Sequence, residues 1–114
     1  MRFSSSLKLN HVFRRLYRTS GHCSRALVLY ARRNGTDTNR VGITVSKKLG
    51  HAVVRNRVRR RIREVYRLNE EQFAQGWDIV MVARSRAIGC SFDELTKSCL
   101  KLAAEAGILR EGSR

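Results

Sequence analysis

Between Lys47 and Arg67 stand nine basic side chains, Lys47, Lys48, Arg55, Arg57, Arg59, Arg60, Arg61, Arg63 and Arg67, against the single acid Glu64. The chemistry open to such a run is anion recognition, because a guanidinium group donates paired hydrogen bonds to phosphate oxygens and stacks on exposed bases. Val54, Val58, Ile62, Val65 and Tyr66 recur at helical spacing through the same stretch, to about Leu68, with no Gly or Pro between them. At about 100° per residue, Asn56, Arg59, Arg60, Arg63 and Arg67 share one face of this helix and Val54, Val58, Ile62 and Val65 the opposite one. Arg61 falls inside the apolar arc and Arg57 at its margin, so both are expected to lay their stems along it and carry their charges outward. A helix that used charge only to stay soluble would intersperse acids at i,i+4, and here there is one. One side is built to pack and the other to meet phosphate.

The remaining residues that carry chemistry do not assemble into a protein-based active site. His11, His22 and His51 stand apart from any pair of acids, and Asp93 and Glu94 adjoin at a helix start, where carboxylates cap and favour the dipole. A nuclease of protein alone would need paired carboxylates to hold magnesium. Cys23, Cys90 and Cys99 are odd in number and far apart, with no CxxC pair and no Cys/His spacing suited to zinc; they read as reduced thiols. No catalytic side chain and no metal-ligand set is identified.

The whole chain agrees with anion binding. Its 24 Lys and Arg face only 9 Asp and Glu, a formal charge of +15, while a hydrophobic fraction of 42% is enough for a packed core. The partner is a polyanion. A membrane surface is set aside because no apolar run approaches the roughly 20 residues that span a bilayer, and no lipidation signal is present. The opening Met1 to Ser6 has Arg and Ser and a faint likeness to an organellar transit peptide, but it runs straight into a patterned helix. The expectation is therefore a cytoplasmic chain, one domain over residues 1–114 with flexible ends at 1–6 and 110–114.

The elements that must position the basic helix follow from periodicity. Leu9, Val12, Phe13, Leu16 and Tyr17 mark one face of a first helix over about residues 7 to 18, with Arg14, Arg15 and Arg18 off that face. Ala26 to Ala31 suits a strand, residues 34–39 are turn chemistry, and Val41, Ile43 and Val45 alternate with Gly42, Thr44 and Ser46, so a hairpin is expected. Trp77 to Ala83 is apolar apart from Asp78, as in a strand buried on both faces. Ser91 and Glu94 form a capping-box pattern before a stripe of Phe92, Leu95, Cys99 and Leu102, and Gly107 ends that helix. The order αββαβα gives a single α+β sandwich, a mixed sheet with helices packed on it.

The stretch Lys48-Leu49-Gly50-His51-Ala52-Val53-Val54-Arg55-Asn56-Arg57-Val58-Arg59-Arg60-Arg61-Ile62-Arg63-Glu64 resembles the signature of bacterial ribonuclease P proteins, whose Arg-Asn-Arg core gives it the name RNR motif. The resemblance extends over most of the chain, through the first helix with its aromatic pair, Leu27-Val28-Leu29-Tyr30, Arg40 to Lys48, and the Ala83-Arg84 step. It implies an unusual left-handed crossover between parallel strands, where right-handed is the rule. It also implies two binding surfaces: the RNR helix with Lys47 and Lys48 facing a large catalytic RNA, and a groove between the first helix and the sheet for the unpaired 5′ leader of precursor tRNA. The positions that match the groove are Phe13, Tyr17 and Tyr30. Aromatic faces beside a positive rim are a common way to hold single-stranded RNA, although Phe13 and Tyr17 read on spacing alone as core. By the same resemblance, bond cleavage belongs to the RNA and its magnesium ions, and no small-molecule substrate is involved. The alternative is a ribosomal or RNA-chaperone protein, which would share charge and fold but would require neither the groove nor the signature.

Overall fold

A computed structural model describes residues 2–8 and 10–110; Leu9, expected on the first helix, and residues 111–114 of the expected loose end lie outside it. In chain order the elements are β1 (Ser4–Ser6), α1 (Asn10–Tyr17), β2 (His22–Cys23), β3 (Leu27–Arg33), β4 (Asn39–Thr44), α2 (Ala52–Asn69), β5 (Trp77–Ala83), α3 (Arg86–Gly89) and α4 (Phe92–Glu105). The strands form one mixed sheet in the order β1-β4-β5-β3-β2. The α+β class, the basic helix, the apolar strand and the last helix stand where the sequence places them.

Strand β5 is the centre of the sheet because it alone is apolar enough to be covered on both faces. Ile79, Met81 and Ala83 enter a core with Leu27, Leu29 and Val41 of the neighbouring strands, closed by Val58, Ile62, Val65 and Tyr66 of α2 and Leu95, Cys99 and Leu102 of α4. Val80 points the other way, into a smaller cluster with Leu7, Val12 and Leu16 under α1, against which Phe13, Tyr30 and Val82 pack. Burial pushes the Cys99 thiol up to about 12, so it serves as a small apolar group beside the Met81 sulfur, 3.7 Å away.

The expected hairpin does not form. Strand β3 pairs antiparallel with β5, and β4 pairs parallel with β5 on its other side, so the β4–α2–β5 unit is a parallel crossover. The turn residues must therefore span two strand spacings, about 10 Å, rather than one. They pass over the start of β5, where the Asn34 N–H donates to Gly76 O at 2.9 Å and the Asn34 amide donates to Thr38 O and Asp78 Oδ1. Gly76 has φ 95°, and a Cβ there would stand 2.6 Å from the Thr36 carbonyl oxygen. Only glycine lets the loop approach so closely. The local turn signal is real, but the gain from burying β5 on two faces decides which strands become neighbours.

Residues 2–6 also depart from expectation. Instead of a loose end they supply an edge strand, β1, parallel to β4, and α1 begins only after it, at Asn10. Three serines carry no strand signal of their own, and the tether is electrostatic. The buried carboxylate of Glu70 accepts the N–H of Arg2 at 2.6 Å and of Phe3 at 3.2 Å. Ser4 Oγ and Tyr66 Oη lie 2.7 Å apart, and the buried Asn39 amide donates to Tyr66 Oη and to Ala74 O while its oxygen accepts the Trp77 N–H. Removing Tyr66 from water raises its pKa, so the phenol remains a neutral hydrogen-bonding group linking α2 to the sheet edge.

Burial alone would raise the Glu70 pKa, but the N–H groups of the chain start more than offset it and hold the carboxyl below its ordinary value. The stability it contributes is therefore complete above the unfolded-state value of about 4.3 and is lost as the pH falls through the lower folded value. Hydrogen exchange at the Asn39 amide, which donates to Phe3 O at 2.9 Å, reports this. Protection is expected to fall as the pH drops below about 4, and Glu70→Gln is expected to lower it at neutral pH and abolish the acid step. Equal protection in the variant and the parent at pH 7 would show that Glu70 does not hold β1.

Candidate nucleic-acid interface

The basic surface begins just before α2. Lys47–Leu49 is a single 3-10 turn capped by the Ser46 hydroxyl, which accepts the Lys48 N–H, and it ends at Gly50 with φ 137°. This turn sets both lysines, exposed, beside the start of α2. The first turn of α2 holds no acid, so the positive end of the helix dipole adds to the lysine charges.

Along α2 the buried residues are Val58, Ile62, Val65 and Tyr66, which fixes the expected opposite face toward solvent. Several arginines there are steered by single polar neighbours. Arg55 Nε donates to Gly50 O at 3.2 Å, Arg59 to Asn56 Oδ1 at 2.8 Å, and Arg63 to Ser6 Oγ at 3.0 Å. Arg67 forms a two-pronged pair with Glu64 at 2.6 and 2.8 Å, which lowers the Glu64 pKa and takes up one of the face's charges. Lys47, Lys48, Arg57 and Arg60 make no side-chain hydrogen bond to any described residue, so their donors remain for a ligand.

Arg61 corrects the helical-wheel reading. It does not carry its charge outward but donates to Ala87 O at 3.2 Å and Cys90 O at 2.7 Å, the carbonyls around the end of the short helix α3. Its position in the apolar arc is a packing position, and the guanidinium satisfies carbonyls that the chain reversal before α4 leaves open. Sequence periodicity marks Arg61 as anomalous but gives no sign of these partners, which lie 26 and 29 residues away.

On the opposite face of the sheet Phe13, Tyr17 and Tyr30 come together as the resemblance implies. The Phe13 and Tyr17 ring centroids are 6.4 Å apart, and Tyr17 meets Tyr30 edge-on at 5.2 Å and 82°. Tyr17 is 43% exposed and its hydroxyl lies 3.1 Å from Thr44 Oγ1, so it stands at the boundary of sheet and solvent rather than in the core. Phe13 is partly buried and joins the cluster under α1. It can lie against the sheet because β4 has Gly42 there: a Cβ would stand 2.5 Å from the Phe13 ring. Arg14 and Arg15 on α1 and Arg18 in the turn just after it are all exposed and add positive charge to this side of the sheet.

Several carboxylates have structural partners. Glu94 pairs with Arg86 at 2.9 and 3.0 Å, Asp93 with Lys97 at 3.0 Å, and buried Asp78 takes both prongs of Arg40 at 2.7 Å. Ser91 accepts the Glu94 N–H at 3.0 Å, but the Glu94 side chain turns to Arg86, so only half of the expected capping box is made. Among the described residues no three His, Cys, Asp or Glu side chains gather as a metal site, and no helix is long and apolar enough to cross a membrane.

A mixed sheet that carries an arginine-rich helix on one face and an aromatic cluster beside exposed arginines on the other suits an RNA-binding α+β protein. The Ribonuclease P family model matches residues 1–107. The ribonuclease P protein component of Alkaliphilus oremlandii is 38% identical over 110 residues, 96% of each chain. Among solved structures, the Staphylococcus aureus RNase P protein superposes with a TM-score of 0.81 at 32% identity, covering 92% of this chain and 97% of that one. The RNase P protein from Thermotoga maritima gives 0.77 at 29% identity, covering 85% and 93%. The chain belongs to the ribonuclease P protein family, the RNA-binding subunits of a tRNA-processing endoribonuclease, and the ribosomal or chaperone alternative finds no support in these comparisons.

Gly42 offers a direct check on how the groove is built. Gly42→Ala is expected to push the Phe13 ring from the sheet and to destabilise the fold by about 1 to 3 kcal/mol, read as a lowered urea midpoint. An unchanged midpoint would mean that Phe13 is not seated on β4.

Proposed function

We propose that this chain, as the protein partner of the ribonuclease P RNA in the cytoplasm, divides its two RNA-suited surfaces between two RNAs. The cations of Lys47, Lys48, Arg55, Arg57, Arg59, Arg60, Arg63 and Arg67, with Asn56 orienting Arg59, hold the catalytic RNA. Phe13, Tyr17 and Tyr30 hold the single-stranded 5′ leader of precursor tRNA. The observation that carries this reading is that the two surfaces lie on opposite faces of one sheet, so both can be occupied at once.

The chemistry that follows is binding and orientation. Guanidinium groups on α2 offset phosphate repulsion where RNA helices crowd, and stacking of leader bases on Tyr17 and Tyr30 adds about 1 to 3 kcal/mol per base to the precursor but nothing to the product, which lacks a leader. Precursor is thus bound in preference to mature tRNA. The donor set of this chain, rich in N–H and poor in grouped carboxylates, does not suit magnesium. The ions that activate water belong on phosphates of the catalytic RNA.

Cleavage of precursor tRNA at low magnesium by a bacterial ribonuclease P RNA, with and without the protein, tests the whole reading. Stimulated cutting at the mature 5′ end is expected, and no stimulation with RNAs of either structural class would overturn it. The surfaces separate by mutation. Arg60→Ala with Arg63→Ala is expected to weaken assembly with the catalytic RNA and flatten its salt dependence by about one unit of slope per lost contact. Tyr17→Ala is expected to spare assembly and to cost about fivefold or more in affinity for leader-bearing substrate. If Tyr17→Ala impaired only assembly, the groove would not be the leader site.

A further inference from the structure

On the flank of α2 nearest α4, Arg57, Arg60, Arg61 and Glu64 follow one another at i, i+3, i+4 and i+7, the spacing of one helix face. With Arg63 and Phe92 they line a shallow surface pocket in which Phe92 is the only aromatic group. Phe92 opens α4, and although its spacing places it on that helix's buried stripe, the ring is only partly buried. The sequence accounts for Phe92 as core. The structure leaves part of the ring in the middle of an arginine surface.

The ring is held there on both sides. The Ser91 cap fixes the first turn of α4 through the Glu94 N–H, and Arg61 ties the segment just before Phe92 to α2 through the carbonyls of Ala87 and Cys90. Glu64, the one acid on the rim, is paired with Arg67, so its charge does not repel an incoming anion. Arg57 and Arg60 have no side-chain partner among the described residues. Phosphate recognition alone has no use for an aromatic surface, and an apolar protein partner would not choose a rim of guanidinium groups. An aromatic face beside free arginines is complementary to an unpaired nucleobase with its own flanking phosphates.

The geometry points to a base-stacking pocket in which Phe92 receives one unpaired base of the catalytic RNA while Arg57 and Arg60 take the adjoining phosphates. This rests on the reading of α2 as the face for that RNA. It adds to the basic helix a contact that reads RNA structure, since a continuous duplex has no base to offer, and it is separate from the leader groove on the far side of the sheet.

Binding of the full chain to a bacterial ribonuclease P RNA, measured over a range of salt, tests the pocket. Phe92→Leu keeps an apolar side chain against the core but removes the ring, and is expected to weaken binding roughly tenfold to a hundredfold with the salt slope unchanged, whereas Arg60→Ala lowers the slope. Phe92→Trp is expected to retain the affinity, and its emission, taken as the difference from the parent that has only Trp77, is expected to be quenched by the RNA. Parental affinity in Phe92→Leu alongside a loss in Arg60→Ala would overturn the pocket and leave the role of α2 standing. Parental affinity in both would overturn the role of α2 itself. A loss in Phe92→Leu that Phe92→Trp does not restore, or an unquenched Trp, would also overturn the pocket, since the ring would then act through packing alone.

Discussion

Successive side chains of a strand point to opposite faces, and in β5 both faces are covered. Ile79 and Met81 are committed to the core under α2 and α4, and Val80 to the cluster under α1. A one-residue slip of β5 would exchange the two sets and put buried Asp78, with its Arg40 pair, on the wrong side. Everything functional depends on this register. It seats α2 with its arginines outward on one side and, on the other, fixes Tyr30 opposite Val80 where Tyr17 can reach it.

Part of the surplus positive charge is used inside the fold. Arg40, Arg61, Arg67 and Arg86 are each engaged by a carboxylate or by backbone carbonyls; Arg67 pairs within α2, and the other three link separate segments of the fold. Arg57 and Arg60 of α2, and Lys47 and Lys48 in the turn before it, have no such engagement among the described residues. Exposed ion pairs contribute little stability, so the significance of the pairing is positional. Self-repulsion among the free cations costs stability, and binding a polyanion to the native state restores it by mass action.

What was legible in the sequence follows from the range of the interactions involved. Helix α2, helix α4 with its Ser91 cap and Gly107 end, and the doubly buried β5 are written in local periodicity and local capping. The resemblance to a family supplied the grouping of Phe13, Tyr17 and Tyr30, which spacing alone assigns to the core. What escaped was set by distant partners. Ser4–Ser6 becomes a strand because Glu70 and Asn39 receive it, β3 and β4 are parted because β5 outcompetes their hairpin, and Arg61 turns inward because Ala87 and Cys90 present carbonyls to it. Phe92 escaped for a related reason: its periodicity is that of the core, and only the position of α2 leaves its ring partly open.

The central position of β5 also has a consequence for how the chain is made. Strands β3 and β4 emerge from the ribosome first and have no partner for their facing edges until β5 follows, its last residue, Ala83, 50 residues after Arg33 at the end of β3. At ordinary rates of synthesis that interval is roughly 3 to 10 s, long compared with the microseconds in which a local hairpin closes. During that time the arginine helix is already exposed to the most abundant polyanion nearby, ribosomal RNA. The sheet closes only when Trp77–Ala83 arrives, so a translation product that stops short of β5 is a sticky cationic fragment with open strand edges rather than a partly working subunit.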